Sequence, residues 1–156
     1  MKKIILTIFL SIQLFSSQTF IMPEDKTEAL DAIISSINSA ESDIFLAMYN
    51  FSYKKIAKEL VKASKREVSV TVLFEDDKLI KDRTILDMLK NSGINVISIK
   101  DKQKMHLKAM LIDGKLAIIG SINYTKKSFE SNSDLLFISN DESLISKLKE
   151  FRAKFK

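Results

Sequence analysis

The stretch HLKAMLIDGKLAIIGSIN, residues 106–123, carries most of the information about fold and function in this chain. Its polar residues follow the pattern H-x-K-x4-D-x6-G-S-x-N, and the histidine is the only one in the sequence. A lone histidine is ordinarily a surface residue or a satisfied core residue. Here that explanation would also have to account for the polar residues that follow at fixed spacing. They are His106, Lys108, Asp113, Gly120, Ser121 and Asn123.

The apolar residues on either side of Asp113 predict a β-hairpin. Residues 105–112 alternate as a strand does, and residues 115–119 form a second predicted strand. Asp113 and Gly114 make a favoured two-residue hairpin turn, because glycine accepts a positive φ without steric cost. Side chains two residues apart on a strand share a face, so we expect His106 and Lys108 to point the same way.

A neutral imidazole beside a fixed cation is suited to attack on a phosphodiester. The histidine would act as the nucleophile, while the lysine binds the non-bridging oxygens. Ser121 and Asn123 follow the second predicted strand, and each can donate a hydrogen bond to a phosphate oxygen. Asp113 has the opposite parity and lies at the turn, which indicates an orienting or structural role in the catalytic set. The whole arrangement is an anion site without a recognisable set of metal ligands.

These residues resemble the HKD motif of the phospholipase D superfamily, and most closely its small, single-motif bacterial endonuclease branch. The similarity runs from about residue 40 to residue 139, since residues 44–52 (IFLAMYNFS) also resemble the family's first core strand and the turn after it. In that family the motif histidine forms a covalent phosphohistidine, and a second motif histidine protonates the leaving oxygen.

The resemblance implies a role for each residue of the motif. His106 corresponds to the nucleophile or acid, and Asp113 to a supporting residue. Phosphate binding is implied for Lys108, Ser121 and Asn123.

Two further residues support the motif in this comparison. Gly120 stands where the chain leaves the second strand. The family usually has a glutamate, in an N-x-E run, that hydrogen-bonds the catalytic imidazole. This chain has Asn-Ser-Asp at residues 132–134, so Asp134 would supply a carboxylate that is one methylene shorter.

The number of histidines predicts an oligomer. At 156 residues the chain is long enough for one domain with a single core. The family chemistry needs two histidines, whereas this sequence contains one. A twofold-symmetric homodimer that brings His106 of one copy next to His106 of the other would supply both. We therefore expect a homodimer with a shared active site.

The N-terminus resembles a leader. Lys2 and Lys3 precede a stretch that is uncharged from residue 4 to residue 23. A basic start followed by an apolar run is typical of a secretory signal peptide, although the cleavage site is poor. The stretch of about 20 residues could instead span a bilayer as a retained anchor. We assign residues 1–23 to a signal peptide or membrane anchor and residues 24–156 to the catalytic domain.

The charges that flank this stretch predict where the domain lies. Lys2 and Lys3 before it, with Glu24 and Asp25 after it, place the body of the protein outside the cytoplasm. The expected location is the periplasm or cell envelope, with the chain either secreted or attached to the membrane through its N-terminus. A buried first helix is the remaining alternative.

The sequence contains no cysteine, which excludes thiolate chemistry and cysteine-ligated zinc. A single histidine also argues against a histidine-based metal cluster within one chain. Glu75, Asp76 and Asp77 could form a carboxylate site for Mg²⁺ or Ca²⁺, but a solvated cluster at a strand end explains them more simply. We predict no metal and no cofactor.

The net charge is +5, or +3 without Lys2 and Lys3, so the placement of charge matters more than its total. Lys100, Lys102 and Lys104 lead directly into His106, where they would draw a polyanion toward the reacting phosphate. A second group of cations lies on one predicted helix and fits a solvated face. Its members are Lys54, Lys55, Lys58, Lys62, Lys65 and Arg66.

Aromatic residues near the motif could contribute to binding of nucleic acid. Tyr124 directly follows the motif and is the best candidate to stack on an unpaired base. Core packing is the simpler role for Phe51 and Phe129.

The rest of the sequence alternates predicted helices with predicted strands. Apolar residues at helical spacing indicate the helices, and alternating or continuous apolar runs indicate the strands. The order indicates one α/β domain with a mixed central sheet that is covered by helices on both faces. The predicted helices are 27–40, 53–65, 79–91 and 142–155, and the predicted strands are 43–49, 68–74, 94–99, 105–112, 115–119 and 134–139.

The leading functional interpretation is a metal-independent phosphodiesterase, an endonuclease that hydrolyses DNA with little sequence specificity. No segment resembles a base-reading helix, and backbone contacts alone carry no sequence information. Single-stranded DNA, double-stranded DNA and RNA all stay open as substrates. The alternatives are a phospholipase D-type phospholipid hydrolase or transferase, and a catalytically silent nucleic-acid-binding module.

Overall fold

The centre of the sheet consists of strands that are buried on both faces. The computed structural model describes residues 17–75, 83–100 and 104–155. In it, β2 (Asp43–Met48) lies between β3 (Ser69–Glu75) and β5 (Lys108–Ile112). Every residue of β2 after the first is buried. A continuous apolar run of this kind is typical of a strand that is covered on both sides.

The described residues form a mixed sheet of seven strands in the order β1-β7-β6-β5-β2-β3-β4. Neighbouring strands among β2, β3 and β4 are parallel, and every other neighbouring pair is antiparallel. The remaining strands are β1 (Gln18–Met22), β4 (Asn95–Ile99), β6 (Leu116–Gly120) and β7 (Asp134–Ser139). The helices are α1 (Lys26–Asn38), α2 (Lys54–Lys65), α3 (Arg83–Lys90), α4 (Lys126–Glu130) and α5 (Glu142–Arg152), followed by a 3₁₀ turn (Ala153–Phe155).

Helices cover both faces of this sheet, as the sequence predicts. On one face, apolar side chains of α1, α2 and α3 share a cluster with the inward residues of the strands, such as Leu46 and Met110. On the other face, Ile145 and Leu148 of α5 pack in a cluster with Phe45. An ion pair between Arg152 and Asp43 also joins the end of α5 to β2.

The predicted hairpin is confirmed, with one shift in its boundaries. Asp113 and Gly114 both have positive φ values, 52° and 60°, and Lys115 N–H donates to the Ile112 carbonyl oxygen over 2.9 Å. This geometry belongs to the mirror-image turns that join twisted antiparallel strands. Regular strand geometry begins at Lys108, so residues 104–107 approach β5 without belonging to it.

Two elements were not predicted, and one of them bears on the N-terminus. Residues 18–22, which belong to the predicted leader at residues 1–23, form β1 and pair with β7 along its length. Met22 is fully buried, so cleavage after residue 23 would remove part of the core. Residues 1–16 lie outside the described residues, and the leader itself stays a prediction. No described helix is long and apolar enough to cross a membrane.

The other boundaries agree with the predictions to within a few residues. The third predicted helix, 79–91, corresponds to Arg83–Lys90, and its first residues lie outside the described part of the chain. The second unpredicted element is α4, a helix of five residues.

The pairing of the strands determines where polar residues can gather. β2, β3 and β6 end at the edge of the sheet where β5 and β7 begin. The residues at these strand ends, or just beyond them, therefore face one another across a short distance. They come from positions that are far apart in the sequence, namely Tyr49, Glu75, His106, Ser121 and Asp134.

Candidate active site

His106 and Lys108 lie side by side at this edge, as the strand spacing predicts. The ammonium Nζ of Lys108 is 3.3 Å from both ring nitrogens of His106. It also donates a hydrogen bond of 2.9 Å to the backbone carbonyl of His106. An anion that reaches the exposed imidazole therefore also meets the ammonium.

Tyr49 holds the imidazole from the side of β2. The two rings are tilted by 59°, with their centroids 4.3 Å apart. The ammonium groups of Lys108 and Lys104 lie 5.0 and 5.4 Å from the centroid of the tyrosine ring, within the range of a cation–π contact. Sequence reasoning did not single out Tyr49, although it lies within the stretch that resembles the first core strand of the family.

The surroundings of His106 favour its neutral form. Partial burial lowers the pKa of His106, and the positive charges of Lys108 and Lys104 lower it further, while the negative charge of Glu75 opposes them. A neutral imidazole has a lone pair available for attack on phosphorus. The electrostatics thus suit the nucleophile that the sequence predicts.

Asp134 acts on this pair through Lys108. Burial lowers the pKa of Lys108, and Tyr49 and Asp134 oppose that effect. The carboxylate accepts hydrogen bonds from the hydroxyl of Ser121 over 2.6 Å and from the amide of Asn132 over 3.3 Å. The resemblance implies a bond from this position to the imidazole, whereas the hydrogen bonds of Asp134 in the structure join it to Ser121 and Asn132.

Ser121 is committed to this carboxylate and to the backbone. Its oxygen donates to Asp134 and accepts from the backbone N–H of Leu135 over 3.0 Å. Gly120, just before it, permits the approach of β6 to β7, because a Cβ there would lie 2.0 Å from the carbonyl oxygen of Leu135. Ser121 therefore holds Asp134 in place in this structure, rather than presenting a free hydroxyl to a phosphate.

Asn123 starts a loop that is fixed to the turn after β2. The backbone N–H groups of Ser52 and Tyr53 both donate to the Tyr124 carbonyl oxygen over 2.9 Å. The side-chain oxygen of Asn123 is buried and has no hydrogen-bond partner within residues 17–75, 83–100 and 104–155. The N–H groups of the same amide could donate hydrogen bonds to a phosphate oxygen.

A sequence model described as "Cardiolipin synthase, PLD-like domain" matches residues 33–155. This chain belongs to the phospholipase D-like family. The match includes His106, Lys108 and the polar residues that gather around them.

Solved structures extend this likeness over nearly the whole fold. NucT from Helicobacter pylori is 25% identical, with a TM-score of 0.80, and the match covers 90% of this chain and 94% of NucT. Nuc from Salmonella typhimurium, a phospholipase D family member, is 28% identical with a TM-score of 0.77, over 88% of this chain and 91% of Nuc. The family fold that the sequence predicts is thus confirmed.

A curated relative matches over a smaller part of its own length. The mitochondrial cardiolipin hydrolase of Xenopus laevis is 26% identical over 117 residues, which is 75% of this chain and 56% of that protein. This chain thus spans about half the length of the curated relatives that it matches.

Asp113, the aspartate of the HKD pattern, does not join the site. It lies at the opposite end of β5, about 20 Å along the chain from His106 at the usual rise of a strand. Its carboxylate accepts from the backbone N–H groups of Ser42 and Asp43, over 2.8 and 2.9 Å, and from that of Glu41 over 3.0 Å. Placing Asp113 in the catalytic set is therefore wrong, whereas the structural role considered for it agrees with the structure.

The hydrogen bonds of Asp113 also determine its ionisation. Burial acts to raise the pKa of this carboxyl, but the backbone hydrogen bonds from Asp43, Glu41 and Ser42, with that of the Ser42 hydroxyl, bring it down to about 2. Asp113 is thus a charged acceptor that fixes the loop between α1 and β2 to the hairpin turn.

Tyr124 is not available to stack on a base. It is 1% exposed and packs edge-on against Phe51, with the ring centroids 5.9 Å apart. The role assigned to Tyr124 is therefore wrong, because the loop that follows Asn123 turns this ring into the core. Phe51 and Phe129 are buried, as expected.

The structure describes two of the three lysines that precede His106. Lys104 is exposed and lies close enough to His106 to influence its pKa. Lys100 is exposed just after β4, and Lys102 lies outside the described residues. Glu75 differs from its prediction: it is buried rather than solvated. In the ranges that the structure describes, no three Asp, Glu or His side chains gather in a group that could hold a metal ion.

Proposed function

We propose that this chain is an endonuclease that hydrolyses phosphodiester bonds in DNA without a metal ion and with little sequence preference. The proposal rests on the contact between the ammonium of Lys108 and the exposed imidazole of His106, whose surroundings favour the neutral form. A phosphodiester needs a nucleophile and a counter-charge for its non-bridging oxygens, and this pair supplies both. Exposed Lys100 and Lys104 supply positive charge that attracts a long polyanion.

The proposed reaction has two steps. In the first, a ring nitrogen of His106 attacks phosphorus, a P–N bond forms, and the P–O bond to the leaving strand breaks. The leaving oxygen takes a proton from a second, protonated imidazole. In the second step that imidazole removes a proton from water, the water oxygen attacks phosphorus, and the P–N bond breaks to release the phosphate end.

The second imidazole would be His106 of another copy of this chain. One surface beside the site supports such an assembly: Leu107, Leu135 and Ile21 are 38%, 41% and 46% exposed. Leu135 and Ile21 pair directly across β7 and β1. Ser121 N–H donates to the Leu135 carbonyl oxygen, and Leu107 lies next to His106 in the chain, just before the start of β5. We call this set the apolar row, and we propose that a second copy covers it.

Phospholipid hydrolysis is the second candidate. The cardiolipin hydrolase among the relatives has a lipid substrate in its name. Exposed Leu107 next to His106 could contact an acyl chain. The lysines at the mouth of the site favour a polyanion instead.

The deciding experiment compares substrates without divalent ions. The full chain and its His106→Ala variant are incubated in millimolar EDTA with labelled single-stranded DNA, double-stranded DNA, RNA and phosphatidylcholine vesicles. We expect cleavage of DNA by the wild type and none by the variant. Cleavage that returns only with added Mg²⁺ would contradict the proposed chemistry. Hydrolysis of phosphatidylcholine alone would establish the second candidate, and binding without turnover would indicate a silent module.

A further inference from the structure

Glu75 ends β3 as a buried carboxylate, and buried carboxylates are costly unless they are paired. It is 8% exposed, and its Oε2 accepts a hydrogen bond of 2.7 Å from the backbone N–H of Met105. The only other glutamate among the buried polar residues of the described chain is Glu59, whose carboxylate is 2.8 Å from the ammonium of Lys62. Among the described residues, the buried carboxylate of Glu75 is therefore bonded to the main chain near the active site, and not to a cationic side chain.

The hydrogen bond from Met105 to Glu75 matters because it lies directly beside His106 in the chain. Met105 directly precedes His106, and the segment 104–107 lacks regular strand geometry. On the other side of the histidine, the carbonyl oxygen of Leu107 accepts from Tyr49 N–H over 2.9 Å. The backbone of His106 is therefore held at two points, one to β3 and one to the residue after β2.

The hydrogen bonds at Met105 and Leu107 restrict the orientation of the imidazole between them. Fixing residues 105 and 107 limits the directions that the side chain between them can take. The fixed direction places the ring 4.3 Å from the ring of Tyr49 and within 3.3 Å of the Lys108 ammonium. A buried anchor holds such a direction better than an exposed one, because water does not compete for the hydrogen bond.

We propose that Glu75 is a positioning residue for the proposed reaction, and that it acts on His106 by anchoring Met105 and by placing a negative charge near the imidazole. The inference rests on the proposed function for its catalytic consequence only. Its effect on the imidazole exists whether or not DNA is the substrate.

The charged groups around His106 predict the sign of the effect. Lys108 and Lys104 lower the pKa of His106, and Glu75 raises it. Asp134 acts on Lys108. Neutralising Glu75 removes the opposing contribution, so the imidazole titrates at lower pH.

Glu75→Gln separates charge from anchoring, because glutamine has the same shape and keeps an oxygen that accepts from Met105. The full chain contains one histidine, so the imidazole resonances in an NMR titration report on His106 without overlap from other histidines. We expect Glu75→Gln to move that titration to lower pH. Glu59→Gln is the matched control, since Glu59 is equally buried but paired with Lys62, and it should leave the titration unchanged.

Glu75→Ala removes the anchor as well. We expect kcat on DNA to fall by about ten- to a hundredfold with KM nearly unchanged, as displaced catalytic groups show. Glu75→Asp keeps the charge, so its imidazole should titrate nearer the wild type than that of Glu75→Gln. A wild-type titration in Glu75→Gln, or wild-type kcat in folded Glu75→Ala, would overturn the inference. If the wild type cleaved no DNA, the proposed function would fail while the titrations still tested Glu75.

Discussion

At the scale of single residues, Lys108 and Lys104 carry the same charge but are placed for different tasks. Lys108 is half-buried and its ammonium lies 3.3 Å from the imidazole, so in the proposed reaction it would contact the reacting phosphate. Lys104 is exposed and contacts the site through the Tyr49 ring. A cation that contacts the reacting atoms stabilises the transition state, whereas a peripheral one mainly increases capture.

The first prediction compares the same substitution at these two positions. Lys108→Met should lower kcat on DNA by about a hundredfold or more, the usual loss when one charge-stabilising donor is removed. Lys104→Met should instead raise KM and make binding less dependent on salt, with the slope of log K against log[salt] reduced by about one if Lys104 contacts a phosphate. Single-turnover rates and binding isotherms at several salt concentrations measure both. Equal effects on kcat would contradict this division of roles.

The second prediction concerns Asp113. The ordinary pKa of this carboxyl lies above its folded value of about 2. Its stabilising contribution is therefore complete above about pH 4 and lost as the pH falls toward 2. Asp113→Ala should lower the free energy of unfolding near neutral pH by about 2–3 kcal/mol, through lost charge-assisted hydrogen bonds. Urea denaturation measures this.

A matched variant tests the ionic part of that contribution. Asp113→Asn keeps the size and an acceptor oxygen but cannot titrate, so its stability should fall less steeply than that of the wild type between pH 4 and pH 2. Both variants, where folded, should retain nearly wild-type kcat, because Asp113 lies at the far end of β5. A large loss of kcat in folded Asp113→Asn would return this residue to the catalytic set.

The residues that could be predicted are those whose role follows from strand spacing. His106 and Lys108 share a face because they are two apart, and this needs no knowledge of the rest of the fold. The contacts that Tyr49 and Glu75 make with residues 105–106 could not be predicted, because they depend on strands that are distant in sequence. Tyr124 was misplaced for the same reason, since its burial against Phe51 depends on the turn after β2.

At the scale of elements, the close approach of β6 and β7 determines whether the site forms. Gly120 lies where β6 ends, and a Cβ there would collide with the carbonyl of Leu135. That collision would also separate Ser121 from Asp134, because both hydrogen bonds of the Ser121 oxygen go to the first two residues of β7, Asp134 and Leu135.

The third prediction is that Gly120→Ala costs both stability and activity. The loss of stability should be about 2–3 kcal/mol, at the upper part of the range for overpacking, because the atom that is met is backbone. Gly93→Ala is the control: it has φ of +74° but no atom within 4 Å of the added Cβ. It should cost about 1–2 kcal/mol through backbone strain and leave kcat unchanged. Thermal unfolding and single-turnover rates separate the two variants.

Elements with a strong periodic pattern could be predicted, and those defined by their partners could not. The continuous apolar run of β2, which is buried on both faces, identifies that strand, and the alternation of apolar and polar residues at the start of β3 identifies the other. β1 is an edge strand that continues an uncharged leader-like stretch, and nothing in its own composition separates it from that stretch. Its pairing with β7 is what makes it a strand.

At the scale of the whole molecule, one histidine per chain and the apolar row lead to the same arrangement. A twofold axis beside the site would pair the rows of two chains and bring the two imidazoles together. Leu135→Lys should then weaken the dimer, since it puts a charge into the buried patch. Asn91→Lys adds the same charge at an exposed position after α3 and should leave the dimer intact. Light scattering across a range of protein concentrations measures both.

The last prediction tests whether the site is shared. The His106→Ala protein is mixed in tenfold excess over the wild type, and the subunits are allowed to exchange. About nine in ten wild-type chains then enter heterodimers. Each of these has one imidazole in its composite site, which leaves either the nucleophile or the acid missing. Single-turnover cleavage per wild-type chain should therefore fall by about tenfold, to what the remaining homodimers supply. The same mixture made with the double variant His106→Ala/Leu135→Lys should lose far less activity, because that chain associates poorly with the wild type. Undiminished cleavage in the first mixture, with exchange verified by differently tagged chains, would show that one histidine is enough.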